Sequence, residues 1–526
     1  MSLTSAATAL RDPPRATLVA GAAASATVAI AVTRAGPIPG VVLPDGPLGL
    51  WRAADAGRPV WGVLAVVGIT ALSLAFVRLY LLARHRIVDV RCVARTAAVW
   101  TAPVLLAQPI LSLDAYSYVA QGQLLVMGID PYVTGPIVFG GGPLLDPVAP
   151  VWRMTPAPYG PLSLSLLGRS ADLTGADHVP FVLLLRALAI VAVVVGTVAA
   201  ARLARPDARA TAVALVAANP IVVLHMVGGV HLDVLVGALA PVVLLAVRKR
   251  WWWLAALTAT AAFAIKLPGL ILVGYVLWAR FRQPGRRWTG TAEVLAVTAA
   301  VTLAAASTVP DGWGWVATLD TPGRVELLYT VPAAVAGVAY GFLGLTVGGV
   351  GFGELLDWSR WLCAVAGAGL IGWLIVRGGD PSTPVRRAGV LVGSALVVLA
   401  LAAPVIHAWY LSWALALLAA CAGIVGHRWL IGLSVALCFS ALPDPLTRWH
   451  HGLLPLTLLF LVVALALTFW WLADARTPRA ARSDAAAYAS RHHGSYALMH
   501  ENDADPRPGR REDDRDDPAR TGRFAA

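Results

Sequence analysis

A single carboxylate stands where a long apolar run gives way to polar sequence, in Pro109-Ile-Leu-Ser-Leu-Asp114 followed by Ala-Tyr116-Ser-Tyr118-Val-Ala-Gln121-Gly122. Taken as a helix over 113–127, the segment puts Asp114, Ser117 and Gln121 on one face and Tyr116, Ala120, Leu124 and Met127 on the other. The expected element is a short amphipathic helix resting on a membrane surface with an acid at its start. Two roles compete for Asp114. It caps the helix by accepting backbone N–H bonds, or it removes a proton from a hydroxyl, being ionised and available at neutral pH.

Further groups able to do chemistry follow it. Asp-Pro and Gly-Pro pairs form turns, so in Gly128-Ile-Asp130-Pro131-Tyr132 the acid reads first as an Asx-turn residue, with a catalytic role as the alternative. Tyr132 and Tyr159, the latter in Tyr159-Gly160-Pro161, either stack on a sugar or anchor at a membrane interface. In Gly228-Gly229-Val-His231-Leu-Asp233 the His and Asp are two apart and share no helix face, and no third ligand is evident, so no metal is expected there. Asp233 is expected to cap a helix and His231 to sit at a solvent edge. Lys266 and Lys249 are the only lysines in a chain that otherwise writes arginine. Lys266 either snorkels or pairs with a phosphate as a compact point charge. His407-Ala-Trp409-Tyr410 and Arg448-Trp449-His450-His451 end later apolar runs and read as interfacial anchors or as substrate contacts.

Membrane helices must hold these groups in place. The chain of 526 residues is 58% hydrophobic and 13% charged, with mean hydropathy +0.71. That leaves too little charge to coat a soluble surface, which excludes a water-soluble enzyme. The net charge of +12 would suggest a nucleic-acid partner in a soluble chain, but it sits in loops between apolar runs, so no nucleic acid is expected. Apolar runs begin near Ala16, Trp61, Ala97, Val179, Thr211, Leu232, Trp251, Leu267, Thr289, Trp361, Ala388, Leu411, Trp429 and Leu453, predicting an all-α polytopic protein with about fourteen spans. The runs between 211 and 279 are short and suit half-helices or tilted pairs. The first run follows Arg11 and Arg15 without a cleavage site and reads as a membrane helix.

Arginine fixes the expected sides. Every second loop is basic, including those holding Arg84–Arg95, Arg202–Arg209, Arg248–Arg250, Arg280–Arg287 and Arg377–Arg387, and the positive-inside rule puts these loops and both termini in the cytoplasm. Asp114, His231, Lys266, His407 and Arg448 then share the opposite face, where boundary ionisable groups point to function. The loops over 114–178 and 310–359 are rich in Gly, Pro, Tyr and Trp and suit short amphipathic helices at the interface. Residues 1–473 read as one membrane domain, and 474–526 as a polar, charge-balanced, disordered cytoplasmic tail. Cys92, Cys363, Cys421 and Cys438 have no spacing for a metal or a disulfide.

The stretches Asp114-Ala-Tyr-Ser-Tyr-Val-Ala-Gln-Gly and Gly128-Ile-Asp-Pro-Tyr-Val-Thr-Gly-Pro resemble the actinobacterial polyprenyl-phosphomannose-dependent α-1,6-mannosyltransferases of the MptB-like type, as do Tyr159-Gly-Pro, Gly-Gly-x-His-x-Asp at 228–233 and Lys266-Leu-Pro. The resemblance covers about residues 60 to 473. It implies a GT-C membrane glycosyltransferase in the plasma membrane, with its site on the extracytoplasmic face. Mannose would pass from polyprenyl-phosphate-mannose to a mannan glycolipid acceptor, building the α-1,6 core of lipomannan and lipoarabinomannan. Asp114 would be the general base. The expected substrate contacts are Tyr116, Gln121, Asp130, Tyr132, Tyr159, His231, Asp233, Lys266, His407, Tyr410 and Arg448. A monophosphate leaving group offset by protein cations needs no metal, so no cofactor is expected, and a cleft near 211–279 would hold the prenyl chain. The rival reading is a transporter or flippase of a lipid-linked sugar. It predicts inverted symmetry and midplane charges, whereas the midspans are plain Ala, Val and Leu.

Overall fold

A computed structural model of the chain describes residues 13–35, 46, 51, 59–319, 321, 330–346 and 350–439. Among these residues the regular structure is helical throughout, without a strand. The first three helices are α1 (Pro13–Ala35), α2 (Pro59–Arg84) and α3 (Val90–Leu106); after them come α4 (Asp114–Val126), α5 (Pro161–Thr174) and α6 (His178–Leu203). Next, α7 (Arg209–Ala217) leads into a π-helical segment, Ile221–Gly228. Three short helices follow, α8 (Asp233–Arg248), α9 (Trp252–Ile265) and α10 (Gly269–Phe281). The chain continues through α11 (Arg287–Ala306), α12 (Val331–Thr346), α13 (Phe352–Gly378), α14 (Val385–Ala402), α15 (Ser412–Cys421) and α16 (Ile424–Cys438).

Six helices among the described residues, α1, α2, α6, α11, α13 and α14, are long and apolar enough to cross a membrane. The bent pair Pro206–Ala217 and Ile221–Gly228, broken at 47°, would make a seventh. The runs expected near Leu232, Trp251, Leu267, Leu411 and Trp429 form helices too, but of only 10–16 residues. A helix of this length spans about 15–24 Å at 1.5 Å per residue, short of a bilayer core of about 30 Å. Backbone at their ends cannot be left facing lipid, since its N–H and C=O groups would find no partners there. The fold answers by placing α8 inside, packed among α6, α9 and α15. The non-helical ends at 229–232, 266–268 and 403–407 meet within protein. Those ends carry His231, Lys266 and His407.

Two exposed ion pairs tie basic loops together: Arg86 to Asp207 and Arg282 to Asp380, each at 3.2 Å. Loops expected on one side are thus brought together pairwise.

The helix beginning at Asp114 departs from the expected amphipathic surface element. Tyr116, Ser117, Tyr118, Val119, Ala120, Gln121 and Leu124 are all buried, on both faces of α4. The cause is α5, which lies across α4 so closely that a Cβ on Gly122 would come within 2.4 Å of the Leu167 carbonyl oxygen. Only the far end, at Val126 and Met127, is exposed. The polar residues of this segment serve an interior. The run near Leu453, Arg448, His450, His451 and the tail 474–526 lie outside the described residues.

Candidate active site

The site begins with two broken helices and the arginine that joins them. α3 stops at Leu106 and α4 starts at Asp114, so the carbonyls between them lack helical partners. Arg186 of α6, only 1% exposed, supplies the donors. Its Nη1 donates to the carbonyls of Leu105 (2.8 Å) and Ala107 (2.6 Å), and its Nη2 to that of Gln108 (3.1 Å). The same guanidinium reaches the second break, with Nη2 donating to Gly228 O at 3.0 Å and Nε to Val227 O at 3.3 Å. Ile110 N completes the join by donating to Gly228 O at 3.2 Å. Each break holds a non-glycine residue in the left-handed region, Leu111 at φ 62° and Val230 at φ 63°. Such strain costs on the order of 1–3 kcal/mol per residue and persists where the surroundings impose it. These residues lie three positions before Asp114 and one before His231, so the strained turns aim the two side chains at each other.

Asp114 does not cap its helix. The N-cap is Leu113 without a side-chain bond, and the Asp114 N–H itself donates to Ser112 Oγ at 3.1 Å. Its carboxylate lies instead 3.5 Å from Nδ1 of His231, with 16% of the side chain exposed. Burial raises its pKa to about 6, opposed by the nearby Lys266 charge and by hydrogen bonds from Ser112 and Trp152, and reinforced by Asp233. The result is a carboxylate still mostly ionised at neutral pH, with a proton affinity well above that of a solvated acid.

His231 and Asp233 both differ from their expected placing. His231 is buried rather than at a solvent edge, because the start of α8 is enclosed by protein. Its ring stacks on Trp409 at 3.7 Å and 15°, and His407 stacks on the same indole at 4.3 Å and 7°. Burial keeps both imidazoles neutral, holding His407 down at about 3 and His231 well below its ordinary value, with the Lys266 charge acting in the same direction. Asp233 is 1% exposed and makes no cap bond. Its two oxygens accept Lys266 Nζ at 2.9 Å each, and Oδ1 also accepts Trp413 Nε1 at 2.7 Å. Lys266 therefore forms a bidentate ion pair instead of snorkelling. Its ammonium is ringed by Tyr159, Tyr410 and Trp413, with centroids 5.6, 5.2 and 5.8 Å away, an arrangement that stabilises a cation.

Tyr159 is held from behind. Gly160 N donates to Ile265 O at 3.1 Å, and a Cβ on Gly160 would stand 2.2 Å from Ala264 O, so only glycine lets this turn dock beside Lys266. Tyr132 donates its hydroxyl to Tyr159 O at 2.9 Å, and Asp130 Oδ1 accepts Tyr132 N at 2.8 Å in an Asx turn. Tyr132 and Asp130 thus support the Tyr159 wall. Tyr116 packs its ring on His178 at 5.7 Å, and Gln121 is buried; neither hydrogen-bonds to the cluster. Asp114, Tyr159, His231, Asp233, Lys266, His407 and Tyr410 come together, and Arg448 lies outside the described residues. Among the described residues no three His, Cys, Asp or Glu side chains form a set able to hold a metal ion.

Sequence reasoning missed Arg186 and Trp413. The first was visible as an arginine inside the apolar run of α6, where an ionisable group signals a buried partner. The second sits four residues after Trp409, one helical turn along. The assembled site offers a carboxylate of raised proton affinity beside a neutral imidazole, a fixed ion pair and aromatic walls. It can take a proton from an alcohol and hold a sugar against rings.

Comparison with known proteins places most of the chain. Residues 18–282 match the family model described as alpha-(1->6)-mannopyranosyltransferase, N-terminal domain, and residues 332–473 match the MptB C-terminal domain. A protein of Mycolicibacterium smegmatis named "Probable alpha-(1->6)-mannopyranosyltransferase" is 30% identical over 457 residues, covering 77% of this chain and 79% of its own. Alpha-(1->6)-mannopyranosyltransferase A of Mycobacterium tuberculosis is 32% identical over 340 residues (62% of this chain, 64% of its own). Alpha-(1->6)-mannopyranosyltransferase B of Corynebacterium glutamicum is 29% identical over 396 residues (68% and 65%). Asp114, His231, Asp233 and Lys266 fall in the first matched region, and His407 and Tyr410 in the second.

Proposed function

The chain belongs to the alpha-(1->6)-mannopyranosyltransferase family, and on that premise we propose that it is a multi-pass GT-C mannosyltransferase of the plasma membrane. It moves mannose from polyprenyl-phosphate-mannose to a lipid-anchored mannan acceptor on the extracytoplasmic face, extending the α-1,6 core of lipomannan and lipoarabinomannan. The observation that carries the reading is Asp114, uncapped and facing His231 at 3.5 Å beside the aromatic-walled Lys266–Asp233 pair.

The reaction is one in-line displacement. Asp114 takes the proton of the acceptor C6 hydroxyl as that oxygen bonds to the anomeric carbon of a β-linked mannosyl phosphate. The bond from that carbon to the phosphate oxygen breaks, its electrons leave with the polyprenyl phosphate, and inversion gives the α-1,6 link. Lys266 offsets the leaving charge, and Asp233 and Trp413 fix the ammonium in advance of the reaction, which is what makes such stabilisation effective. Tyr159, partly exposed beside Lys266, offers its ring to the sugar, while Tyr410 and Trp413 are buried and stacked on each other at 4.4 Å.

A groove supports the lipid half of the reading. A cavity of about 380 Å³ runs between α3, α6, α7 and the π-helical segment, with an almost wholly apolar lining. Its α3 wall, from Val90 through Ala97 to Leu105, extends about 22 Å. It ends at Leu105 and Val227, whose carbonyls Arg186 holds beside the turn leading to Asp114. The expected cleft over 211–279 contributes one wall through Val213, Ala217, Val222 and Val227.

The test is transfer of radiolabelled mannose from the lipid donor to an α-1,6-mannan acceptor by the purified protein, followed by linkage analysis. The expected product is a new α-1,6 bond; movement of the lipid-linked sugar without a new bond would instead favour transport. Lys266→Met should raise the donor KM roughly 10- to 100-fold, the loss of one charge-assisted contact, and leave the acceptor KM unchanged. Unaltered donor kinetics in a folded Lys266→Met protein would reject the phosphate role.

A further inference from the structure

We infer that His231 is a positioning residue for the base: as a neutral imidazole carrying its proton on Nδ1, it hydrogen-bonds Asp114 Oδ2 and leaves Oδ1 to meet the acceptor hydroxyl. The inference rests on the reading of Asp114 given above and adds to it the group that orients the carboxylate.

Geometry carries it. The His231 side chain has no solvent exposure, and neither ring nitrogen has a hydrogen-bond partner within bonding distance. A buried N–H left unpaired is disfavoured, and the carboxylate 3.5 Å from Nδ1 is the acceptor in reach. A movement of about half an ångström makes the bond, of the size expected when a site closes on its substrate. The ring cannot turn away freely. Trp409 stacks on its face at 3.7 Å, and the preceding backbone is pinned by Val230 at φ 63°. Gly229 is equally confined, since a Cβ there would meet His225 O at 2.8 Å and Ile110 O at 3.0 Å.

The charges around the pair decide which partner holds the proton. Burial opposes a positive charge on His231 most and the Lys266 ammonium adds to it, while His225 and His407 stand beside it as buried, neutral imidazoles. Around Asp114 stand Lys266, Asp233, Ser112 and Trp152, and the phenols of Tyr118, Tyr159 and Tyr410 lie within its field. Burial pushes the Tyr159 phenol up, so it stays neutral across the working range. Asp233 is occupied by Lys266 and Trp413. The acceptor proton therefore moves to Asp114 Oδ1 and stays there, while His231 keeps its own proton throughout. The imidazole orients the carboxylate and does not act as a second base.

A hydrogen bond donated to the carboxylate favours its charged form, so removing it raises the pH at which the base becomes available. His231→Phe keeps a ring on Trp409 and removes both nitrogens. His231→Asn sacrifices the stack but puts an amide N–H near the position of Nδ1. The experiment compares pH–rate profiles of transfer from polyprenyl-phosphate-mannose for wild type and both variants, each with its thermal midpoint. In His231→Phe kcat should fall roughly tenfold or more and the acidic limb should move up by roughly one to two pH units, with the donor KM unchanged. His231→Asn should return the limb toward the wild-type position. A folded His231→Phe protein with an unmoved limb, or a His231→Asn protein shifted as far as His231→Phe, would overturn the inference. Asp114→Asn run alongside separates the two readings: if Asp114→Asn is inactive and the His231→Phe limb is unmoved, only the role of His231 is removed. An active Asp114→Asn protein removes the base assignment and this inference with it.

Discussion

Asp114→Asn should lower mannosyl transfer by roughly 10²–10⁴-fold, the range lost with a general base, while leaving the protein folded. Asparagine keeps the size of the side chain and can still meet the hydroxyl of Ser112. It cannot accept the proton of the attacking hydroxyl, so the oxygen must attack unassisted. Stability should move the other way. The Asp114 pKa is raised by burial from 3.8 to about 6, so the folded protein binds the proton more tightly than the unfolded chain. The contribution of this group is therefore full below about 4 and lost as pH rises through about 6. At pH 7 the native state carries the cost of a buried charge, and Asn removes it. The thermal midpoint in detergent at pH 7 should be unchanged or higher while transfer collapses. A variant that loses activity only through a lower midpoint would point to a structural acid.

The largest effect on the fold should come from Arg186→Leu. That change leaves four carbonyls, of Leu105, Ala107, Gln108 and Val227, without the donor that now serves them, while Gly228 O keeps Ile110 N. An unsatisfied buried group costs about 1–3 kcal/mol. Relaxation will recover part of the sum, but several kcal/mol remain against a typical total stability of about 5–15 kcal/mol. Lipid offers no hydrogen bond in exchange. The variant should fail to accumulate as folded protein. Arg186→Lys offers one ammonium in place of a fork and cannot reach all of these oxygens. It should fold with a lowered midpoint and lose kcat more than donor KM, because the segments bearing Asp114 and His231 would no longer be tied in register. Thermal midpoints and transfer rates of the two variants check this, and a wild-type midpoint for Arg186→Leu would contradict the clamp.

Much of the site was legible as residue types and little of it as pairs. Asp114 was evident because an acid follows the end of an apolar run, and Lys266 because lysine is nearly absent from the chain. Two of the breaks were marked in the sequence, the one before His231 by Gly228-Gly229, which ends a helical segment, and the one after Lys266 by Pro268-Gly269, which opens the next helix. The depth of those breaks was not legible. Asp233 at a helix start looks like a cap in any sequence. It becomes the partner of Lys266 only because α8 and α9 are both too short to span and their ends meet inside protein. The same depth turned His231 from an edge residue into a buried one. Polar Ser117 and Gln121 suggested a wet face for α4, but a sequence does not reveal that both faces of a short helix will be buried in protein. Arg186 escaped notice because its partners are backbone carbonyls, which carry no side-chain signature.

The most direct test of the central claim is the dependence of kcat/KM on pH for mannosyl transfer by the wild-type protein between about pH 4.5 and 8. With Asp114 as the base, log kcat/KM should climb with unit slope and level off near pH 6, in line with the raised value of this carboxylate in the free protein, and the residual rate of Asp114→Asn should lack that limb. A wild-type rate that is flat across the range, or a limb that persists in Asp114→Asn, would contradict the account.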